Sequence, residues 1–246
     1  QVLSQSDLHT VESTKQLQMD VYSWQAKQFL AVLLPILDAN DVSSAAKKML
    51  ESWDCGYGFE SRGAPLFELF YDNLRHEIFG LASTGVGDEV MKHLSTKTGV
   101  FIDFYQNFDR TMLNEQSAWH HDKTRDEVFL SAFNAAESLY QQERWKDVNQ
   151  ITFTNMLFQG KLPEFLGFDS KPIPLLGGRS TPHQGQIYEG GGRKTSFAPS
   201  VRLVADLSEE TLHTCLAGGP SDDRFSPWYK SGLKKWILGE YKILKQ

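Results

Sequence analysis

The feature that most constrains this chain is a strand-like segment near its end, between Ser200 and Leu207. Its side chains alternate, with apolar residues on one side and mostly polar residues, including Arg202 and Asp206, on the other. A period of two is that of a half-buried β-strand. A turn-like tetrad at 208–211 separates it from a second β-prone run at 212–216, so the spacing predicts an antiparallel hairpin. The residues on the apolar side are Val201, Leu203, Ala205 and Leu207.

The first two-thirds of the chain has helical periodicity. Thr10 is predicted to cap a helix whose apolar residues continue from Leu17 to Pro35, where the proline should kink or end it. A helix from Ser61 should bury one face, after a break at 55–58. The other predicted elements are helices from Asp41, near 87–94, near 101–108 and from Asp122 to Gln142, a strand at 151–154, and an irregular stretch at 162–196. In the helix from Asp122, the predicted inward residues are Val128, Phe129, Ala132, Phe133, Ala136, Leu139 and Tyr140.

These elements predict an α+β fold. Residues 10–145 should be mainly helical and should pack on antiparallel strands and loops at 146–246. No internal repeat, low-complexity tract or convincing linker divides the chain, so we expect a single unit over residues 1–246.

The composition argues against several classes of function. The net charge is −6 and there is no basic stripe, so neither nucleic acid nor a membrane is an expected partner. No apolar run approaches the ~20 residues of a membrane span. Cys55 and Cys215 could form one bridge, but two buried free thiols are the favoured interpretation. The chain opens without a signal peptide or an initiating Met, which predicts a processed product, a fragment or an excised domain.

His120, His121 and Asp122 form the candidate metal cluster. Adjacent histidines on a helix point about 100° apart, so they rarely bind one ion. Neither a His-x-x-x-His pattern nor cysteine spacing supports a metal here. The pattern favours a solvated helix start, with Asp122 as a possible cap, and we predict no metal site.

Other residues invite a catalytic or binding role, but a structural role is favoured for each. The glycine-rich segments 177–181 and 190–194 lack the spacing and the strand-to-helix setting of a phosphate loop. No Gly-x-Ser-x-Gly elbow surrounds any candidate serine, so no catalytic residue is predicted. Arg202 and Asp206 should serve cross-strand pairing, and Cys215 should lie in the core. The serines considered are Ser180, Ser200, Ser221 and Ser226, and the aromatic packing anchors are Trp228, Tyr229, Trp236 and Tyr241.

Both ends of the chain resemble the penicillin amidase (penicillin acylase) family. The closing motifs are a Ser-x-Arg-x-x-x-Asp-Leu strand at 200–207, a Gly-Gly-x-Ser turn at 218–221, a Ser-Pro-x-Tyr element at 226–229 and a Trp-x-x-Gly-Glu-Tyr tail at 236–241. The front motifs are Leu17-Gln18-Met19-Asp20, Leu50-Glu51-Ser52-Trp53-Asp54 and Ala64-Pro65-Leu66-Phe67, in the family's order.

The resemblance implies the C-terminal portion of a β-subunit from a self-cleaving N-terminal-nucleophile hydrolase. The family's four-layer αββα fold is then expected, and the whole enzyme would hydrolyse a linear amide of the antibiotic or N-acyl class. In the family, the nucleophilic Ser, the oxyanion Asn, an active-site Arg and the calcium ligands lie upstream of the helix that contains Leu17. Gln1 cannot act as the nucleophile. The chain alone is therefore expected to lack catalytic residues, cofactors and activity, and its substrate-binding residues are unknown.

The resemblance also implies partners. These are the upstream part of the β-subunit and an α-subunit, or self-association, together with a small-molecule N-acyl substrate in the parent enzyme. An exposed strand edge or apolar patch is expected where the upstream part would pack. Related enzymes are commonly extracytoplasmic, although the sequence does not fix the compartment. The alternative is a non-catalytic scaffold or interaction protein derived from the same family.

Overall fold

The computed structural model describes residues 3–5, 8–79, 102–120, 122–158, 160–187 and 195–245. It confirms a mixed α+β fold in which helices come first and strands follow. The helices are α1 Val11–Gln18, α2 Trp24–Ala39, α3 Ala45–Ser52, α4 Gly63–Phe79, α5 Ile102–Leu113, α6 Arg125–Leu139, α7 Trp145–Val148 and α8 Leu233–Leu238. The strands are β1 Gln150–Ile151, β2 Ile173–Pro174, β3 Gln186–Ile187, β4 Thr195–Phe197, β5 Val201–Asp206, β6 Thr211–Leu216 and β7 Lys242–Lys245.

The first predicted helix is in fact two helices. Thr10 caps α1 as predicted, because its side chain accepts a hydrogen bond from the Ser13 amide. The chain then leaves the helix and pairs with the 55–57 segment, where the Tyr57 amide donates to the Val21 carbonyl at 2.9 Å. Ser23 caps α2 through the Ala26 amide. The periodicity continued across this break because Val21 and Trp24 fall at helical spacing by coincidence.

Of the two outcomes predicted at Pro35, a kink or an end of the helix, the end does not occur, because Pro35 lies inside α2, which continues to Ala39. A proline removes one helical hydrogen bond, and burial of neighbouring side chains can compensate for that loss. Leu33, Ile36 and Leu37 are all buried in the core on either side of the proline.

Two other helix starts differ from the prediction. Asp41 has φ of 52°, a left-handed conformation, so α3 begins only after Ser44, whose side chain accepts from the Lys47 amide. Helix α6 begins after Thr124, which forms a capping box with Glu127, so Asp122 is not the cap. Helix α6 ends at Leu139, whose side chain is exposed, so the predicted inward orientation of Leu139 is wrong.

The helices enclose an aromatic core. Phe67 and Phe70 on α4 are fully buried, as predicted. The rings of Phe29 and Tyr71 meet edge to face at 5.3 Å, and those of Phe70 and Phe129 do so at 5.6 Å. Helix α4 is therefore the central helix of this part of the chain. The predicted helix at 87–94 lies outside the described residues, whereas the one near 101–108 corresponds to α5.

The second part of the chain is built from short antiparallel sheets. The strand predicted at 151–154 is limited to Gln150–Ile151, which pairs with Ile173–Pro174. The predicted hairpin is confirmed, with Val201 opposite Leu216 and Asp206 opposite Thr211. Strand β7 adds to β6 and completes a three-stranded sheet in the order β5-β6-β7.

In β5 the mostly polar side faces the core and the apolar side is exposed, which is the reverse of what polarity alone suggests. Arg202, Val204 and Cys215 point inward and are buried, close to the fully buried Trp236. The apolar side of β5 points away from this core. On that outer face, Val201, Leu203, Leu216 and Leu244 are 45%, 51%, 44% and 52% exposed. We call these four residues the outer face of the sheet.

In the Gly218-Gly219 turn, the two glycines differ in how closely other backbone atoms approach them, so substitutions there test the packing of the turn. A Cβ atom on Gly219 would lie 1.6 Å from the Trp228 carbonyl oxygen, whereas one on Gly218 would meet nothing within 4 Å. We expect Gly219→Ala to lower the free energy of unfolding by about 2 kcal/mol, because the backbone around Trp228 must move. Gly218→Ala is the matched control and should cost well under half as much. Urea denaturation of the two variants measures the difference, and equal losses would contradict this account.

Candidate functional site

A loop at residues 175–185, here called the linking loop, joins the helical part of the chain to the sheets. The Trp145 indole N–H donates to the Gly177 carbonyl at 2.8 Å, and the His183 amide donates to the Asp20 carbonyl at 2.8 Å. Within the loop, the Thr181 hydroxyl accepts from the Gly178 amide at 2.8 Å. Gly177 has φ of 76°, and a Cβ there would clash with the His183 carbonyl. The glycine-rich segment 177–181 is therefore a structural loop, as predicted.

A buried ion pair joins the linking loop to α4. An Arg179 Nη atom lies 2.5 Å from a Glu68 carboxylate oxygen, and both side chains are almost completely buried. The Tyr57 hydroxyl donates to the other Glu68 oxygen at 2.7 Å, and the Arg179 guanidinium lies over the Tyr71 ring at 4.0 Å. Burial is the main reason that the pKa of Tyr57 lies well above its usual value, so this hydroxyl stays a donor.

Asp109 of α5 belongs to the same polar cluster through Tyr71, whose ring contacts Arg179. Its two oxygens accept from the Tyr71 hydroxyl at 2.6 Å and from the Gln25 amide at 2.7 Å. Burial raises the pKa of Asp109, although both hydrogen bonds and the nearby Arg179 oppose the rise. A carboxylate held between two neutral donors in a closed core is suited to fixing α2, α4 and α5 together.

Ser180 is the candidate nucleophile that lies closest to this cluster. Its hydroxyl is 3.0 Å from the Ser23 hydroxyl and donates to the Gln25 side-chain oxygen at 3.0 Å. A hydroxyl and an amide cannot remove its proton at neutral pH. Ser200, Ser221 and Ser226 lie in turns or at a strand start, and the described contacts of Ser221 and Ser226 are local turn hydrogen bonds. Among the described residues, the geometry therefore gives none of these serines a base.

A second buried cluster lies between the linking loop and the inner side of the sheet. Arg202 donates through Nη1 to the Trp236 carbonyl at 2.8 Å, and its Nη2 lies 3.4 Å from His183 Nε2. The guanidinium also lies over the Trp236 ring at 5.0 Å. Burial, aided by the Arg202 charge, lowers the pKa of His183 to about 4, so this imidazole is neutral at pH 7.

The structure corrects the predicted roles of several residues in the closing segment. Arg202 and Asp206 make no cross-strand ion pair among the described residues, because Arg202 contacts His183 and Trp236 while Asp206 accepts from Ser208. Trp236 is a fully buried anchor as predicted, whereas Trp228 is 59% exposed and is not a core residue. Cys215, like Cys55, is a buried free thiol, as predicted.

The remaining candidates are described only in part. His120 is buried and Asp122 is exposed, while His121 and the segment 190–194 lie outside the described residues. Within the described ranges, no group of three or more His, Cys, Asp or Glu side chains could hold a metal ion. In the same part of the chain, no helix is both long and apolar enough to span a membrane.

The residues that sequence reasoning missed are Glu68, Asp109, Arg179 and His183. The sequence of α4 did contain a pattern that indicates Glu68. Ala64, Glu68, Tyr71 and Arg75 recur at helical spacing, so a charged residue shares a stripe with buried ones. The partners of this stripe come from segments far away along the chain, and no local pattern identifies them.

The sequence model of the penicillin amidase family matches residues 1–245, which is essentially the whole chain. No protein with a curated description matches.

Proposed function

Because this chain belongs to the penicillin amidase family, we propose that it is part of an enzyme that hydrolyses a linear, non-peptide amide. The products would be a carboxylic acid and an amine, and the substrates would be of the antibiotic or N-acyl class. The observation that carries this proposal is the family match over residues 1–245. The enzyme would act outside the cytoplasm, as related enzymes commonly do.

The proposed role of these residues is structural. The chain would be the C-terminal portion of a β-subunit, acting as one unit, and the nucleophile, its base and the oxyanion donors would come from another part of the protein. The absence of a base near the four candidate serines, within the described residues, supports this division. The calcium ion that the family resemblance implies has no fitting ligand cluster among the described side chains, so no step of the reaction is assigned to it here.

The outer face of the sheet would be the surface that the rest of the enzyme covers. Its four large apolar side chains lie on the side opposite the core around Trp236, and Val204 and Cys215 are buried on the inner side, so both sides of the sheet carry apolar side chains. Such a sheet is typical of an inner layer, where a second sheet packs about 10 Å away. This agrees with a four-layer αββα architecture completed by the upstream part of the β-subunit, with an α-subunit as a further partner.

Activity measurements test the proposed function. The isolated 246-residue chain should not hydrolyse phenylacetyl or aliphatic-acyl amides, whereas the protein from the full reading frame should. Hydrolysis by the isolated chain would contradict the structural role. No hydrolysis by the full, correctly processed protein would contradict the amidohydrolase and leave a scaffold protein. Sequencing upstream of Gln1 adds a simple check, because a Ser, Thr or Cys at an internal cleavage point is required.

A binding experiment tests the outer face. We expect Leu203→Glu to weaken the association of this chain with the upstream part of the same reading frame by at least about ten-fold, because a charge would be buried in an apolar contact. Leu238→Glu on α8 is the matched control, since Leu238 is similarly exposed but is not one of the residues of the outer face. Co-expression and titration measure both affinities. Equal weakening by the two variants would show that the outer face is not the contact.

A further inference from the structure

An open groove lies between helix α2 and the end of helix α3, and its volume is about 480 Å³. Helix α2 contributes Ala31 and Pro35 to its lining, α3 contributes Glu51, and the turn after α3 contributes Trp53 and Asp54. A volume of this order is typical of small-molecule sites, which combine apolar walls with a few polar groups. The polar groups of this groove therefore indicate which ligand it accepts.

Pro35 leaves a backbone acceptor in the groove. In an α-helix the carbonyl of Ala31 accepts from the amide of residue 35, but a proline has no N–H to donate. A helical carbonyl points along the axis toward that residue, so the Ala31 oxygen lies between two exposed residues that both line the groove. This oxygen is open to a donor that a ligand supplies.

Trp53 gives the groove a fixed aromatic wall. Its indole N–H donates to the Gly56 carbonyl at 3.0 Å. Its ring centroid lies 5.6 Å from that of Tyr57 and 5.8 Å from that of Phe67, and both of these rings are buried in the core. The half-buried Trp53 side chain is therefore held in place by its contacts with the core. Among aromatic side chains, an indole ring attracts cations most strongly.

The charges around the groove favour a cationic ligand. Glu51 and Asp54 both line it, against one lining cation, Lys27. Glu51 lies 3.6 Å from the ammonium of Lys47, which also pairs with Asp38. One lysine thus serves two carboxylates, and the balance of charge beside the groove is negative.

We propose that this groove binds a small organic ammonium ion with an aromatic body, such as a protonated arylalkylamine. The Ala31 carbonyl and the carboxylates of Glu51 and Asp54 are its acceptors, and Trp53 and Pro35 contact its apolar body. A primary ammonium has three donors and no acceptor, which matches a site whose polar groups accept. The proposal concerns this chain alone and does not rest on amidase activity.

Isothermal titration calorimetry with benzylamine at pH 7, where this amine is a cation, tests the proposal. Benzyl alcohol is the matched neutral ligand and should bind at least about ten-fold more weakly. N-acetyl-lysine amide has the ammonium without the ring and should also bind at least about ten-fold more weakly. Equal binding of benzyl alcohol would overturn the proposal. Equal binding of the lysine derivative would do so too, because the groove would then fit a lysine of a protein partner.

Pro35→Val tests the backbone acceptor. Valine is similar in size but supplies the N–H that occupies the Ala31 carbonyl, so the affinity for benzylamine should fall at least about five-fold. The helix gains a hydrogen bond in this variant, so a loss of binding does not reflect unfolding. Pro163→Val, at an exposed proline outside the groove, is the matched control. Unchanged affinity in Pro35→Val is a result that the proposal does not survive.

Glu51→Gln tests the charge and should weaken the binding of benzylamine several-fold but not that of benzyl alcohol. Glu12→Gln is the control, because Glu12 also pairs with a lysine, Lys15, but does not line the groove. Equal effects of the two variants would reduce the interaction to net charge and refute the site.

The two free cysteines locate the ligand. Cys55 lines the groove, whereas Cys215 lines a separate pocket. Saturating benzylamine should slow the alkylation of Cys55 by iodoacetamide several-fold, because the bound ligand covers the thiol, and should leave the alkylation of Cys215 unchanged. Mass spectrometry measures both rates. Protection of both cysteines, or of neither, would overturn the proposal.

Discussion

Acidification from pH 6.5 to about 4 should destabilise this chain by about 3 kcal/mol through His183 alone. In the folded protein the pKa of His183 is lowered from 6.5 to about 4, first by burial and then by Arg202. Between these two values the unfolded chain binds one proton more than the folded chain does. Stability is therefore fully present above pH 6.5 and falls as the pH decreases, at about 1.4 kcal/mol per unit of pKa difference.

Urea denaturation between pH 7.5 and pH 4 measures this loss. His183→Gln should flatten the pH dependence in that window, because glutamine keeps an acceptor for Arg202 but takes no proton. His76→Gln, at an exposed position on α4, is the matched control and should keep the parent's slope. Burial raises the pKa of Asp109, and an acid with a raised pKa favours the folded state at low pH. Subtracting the free energy of unfolding of His183→Gln from that of the parent at each pH removes the contribution of Asp109, because both proteins contain it. Parallel curves for the two proteins would contradict the assignment.

Removal of Glu68 should have the second large effect, a loss of about 4 kcal/mol in the free energy of unfolding. Glu68→Ala leaves the Arg179 guanidinium buried without its carboxylate and leaves the Tyr57 hydroxyl without its acceptor. Breaking a buried pair by deleting one partner typically costs about 3–5 kcal/mol. Glu68→Gln keeps an acceptor for Tyr57 and should cost less.

A double-mutant cycle makes this prediction specific. Glu68→Ala and Arg179→Ala should cost less together than the sum of the two single changes, by about 1–3 kcal/mol. The exposed pair of Lys171 and Glu164, 3.5 Å apart, is the control, and Lys171→Ala should change stability by less than about 0.5 kcal/mol. Additive losses at Glu68 and Arg179 would mean that the two side chains do not stabilise each other.

The parts of the fold that local patterns predict are those with local causes. The hairpin was predictable because an alternating run and a β-prone run flank a polar tetrad, and the Thr10 cap was predictable because capping depends on the next three residues. Alternation divides a strand into two faces, but it does not say which face is buried. In β5 the buried face is the one that contains Arg202, because Trp236 and His183 surround the guanidinium.

The polar clusters could not be predicted for a related reason. Glu68 and Arg179 are separated by 111 residues along the chain, and Ser23 and Ser180 by 157. In the sequence, each of these charged or polar residues is of a type that usually lies on the surface. Only the path of the linking loop brings the partners together. The irregular stretch that appeared least informative in the sequence is the one that holds these contacts.

The linking loop also determines when the fold can be completed. The loop forms hydrogen bonds with Asp20 and Trp145 and an ion pair with Glu68. These three residues are synthesised before the loop, so their contacts with it form only after the loop has left the ribosome. Contacts of such long sequence separation slow folding, because the loop-closure entropy is lost before they form. The helical core therefore lacks the ion pair of Glu68 until Arg179 has been synthesised. A nascent chain halted before the loop should remain a partly ordered intermediate that is prone to aggregation.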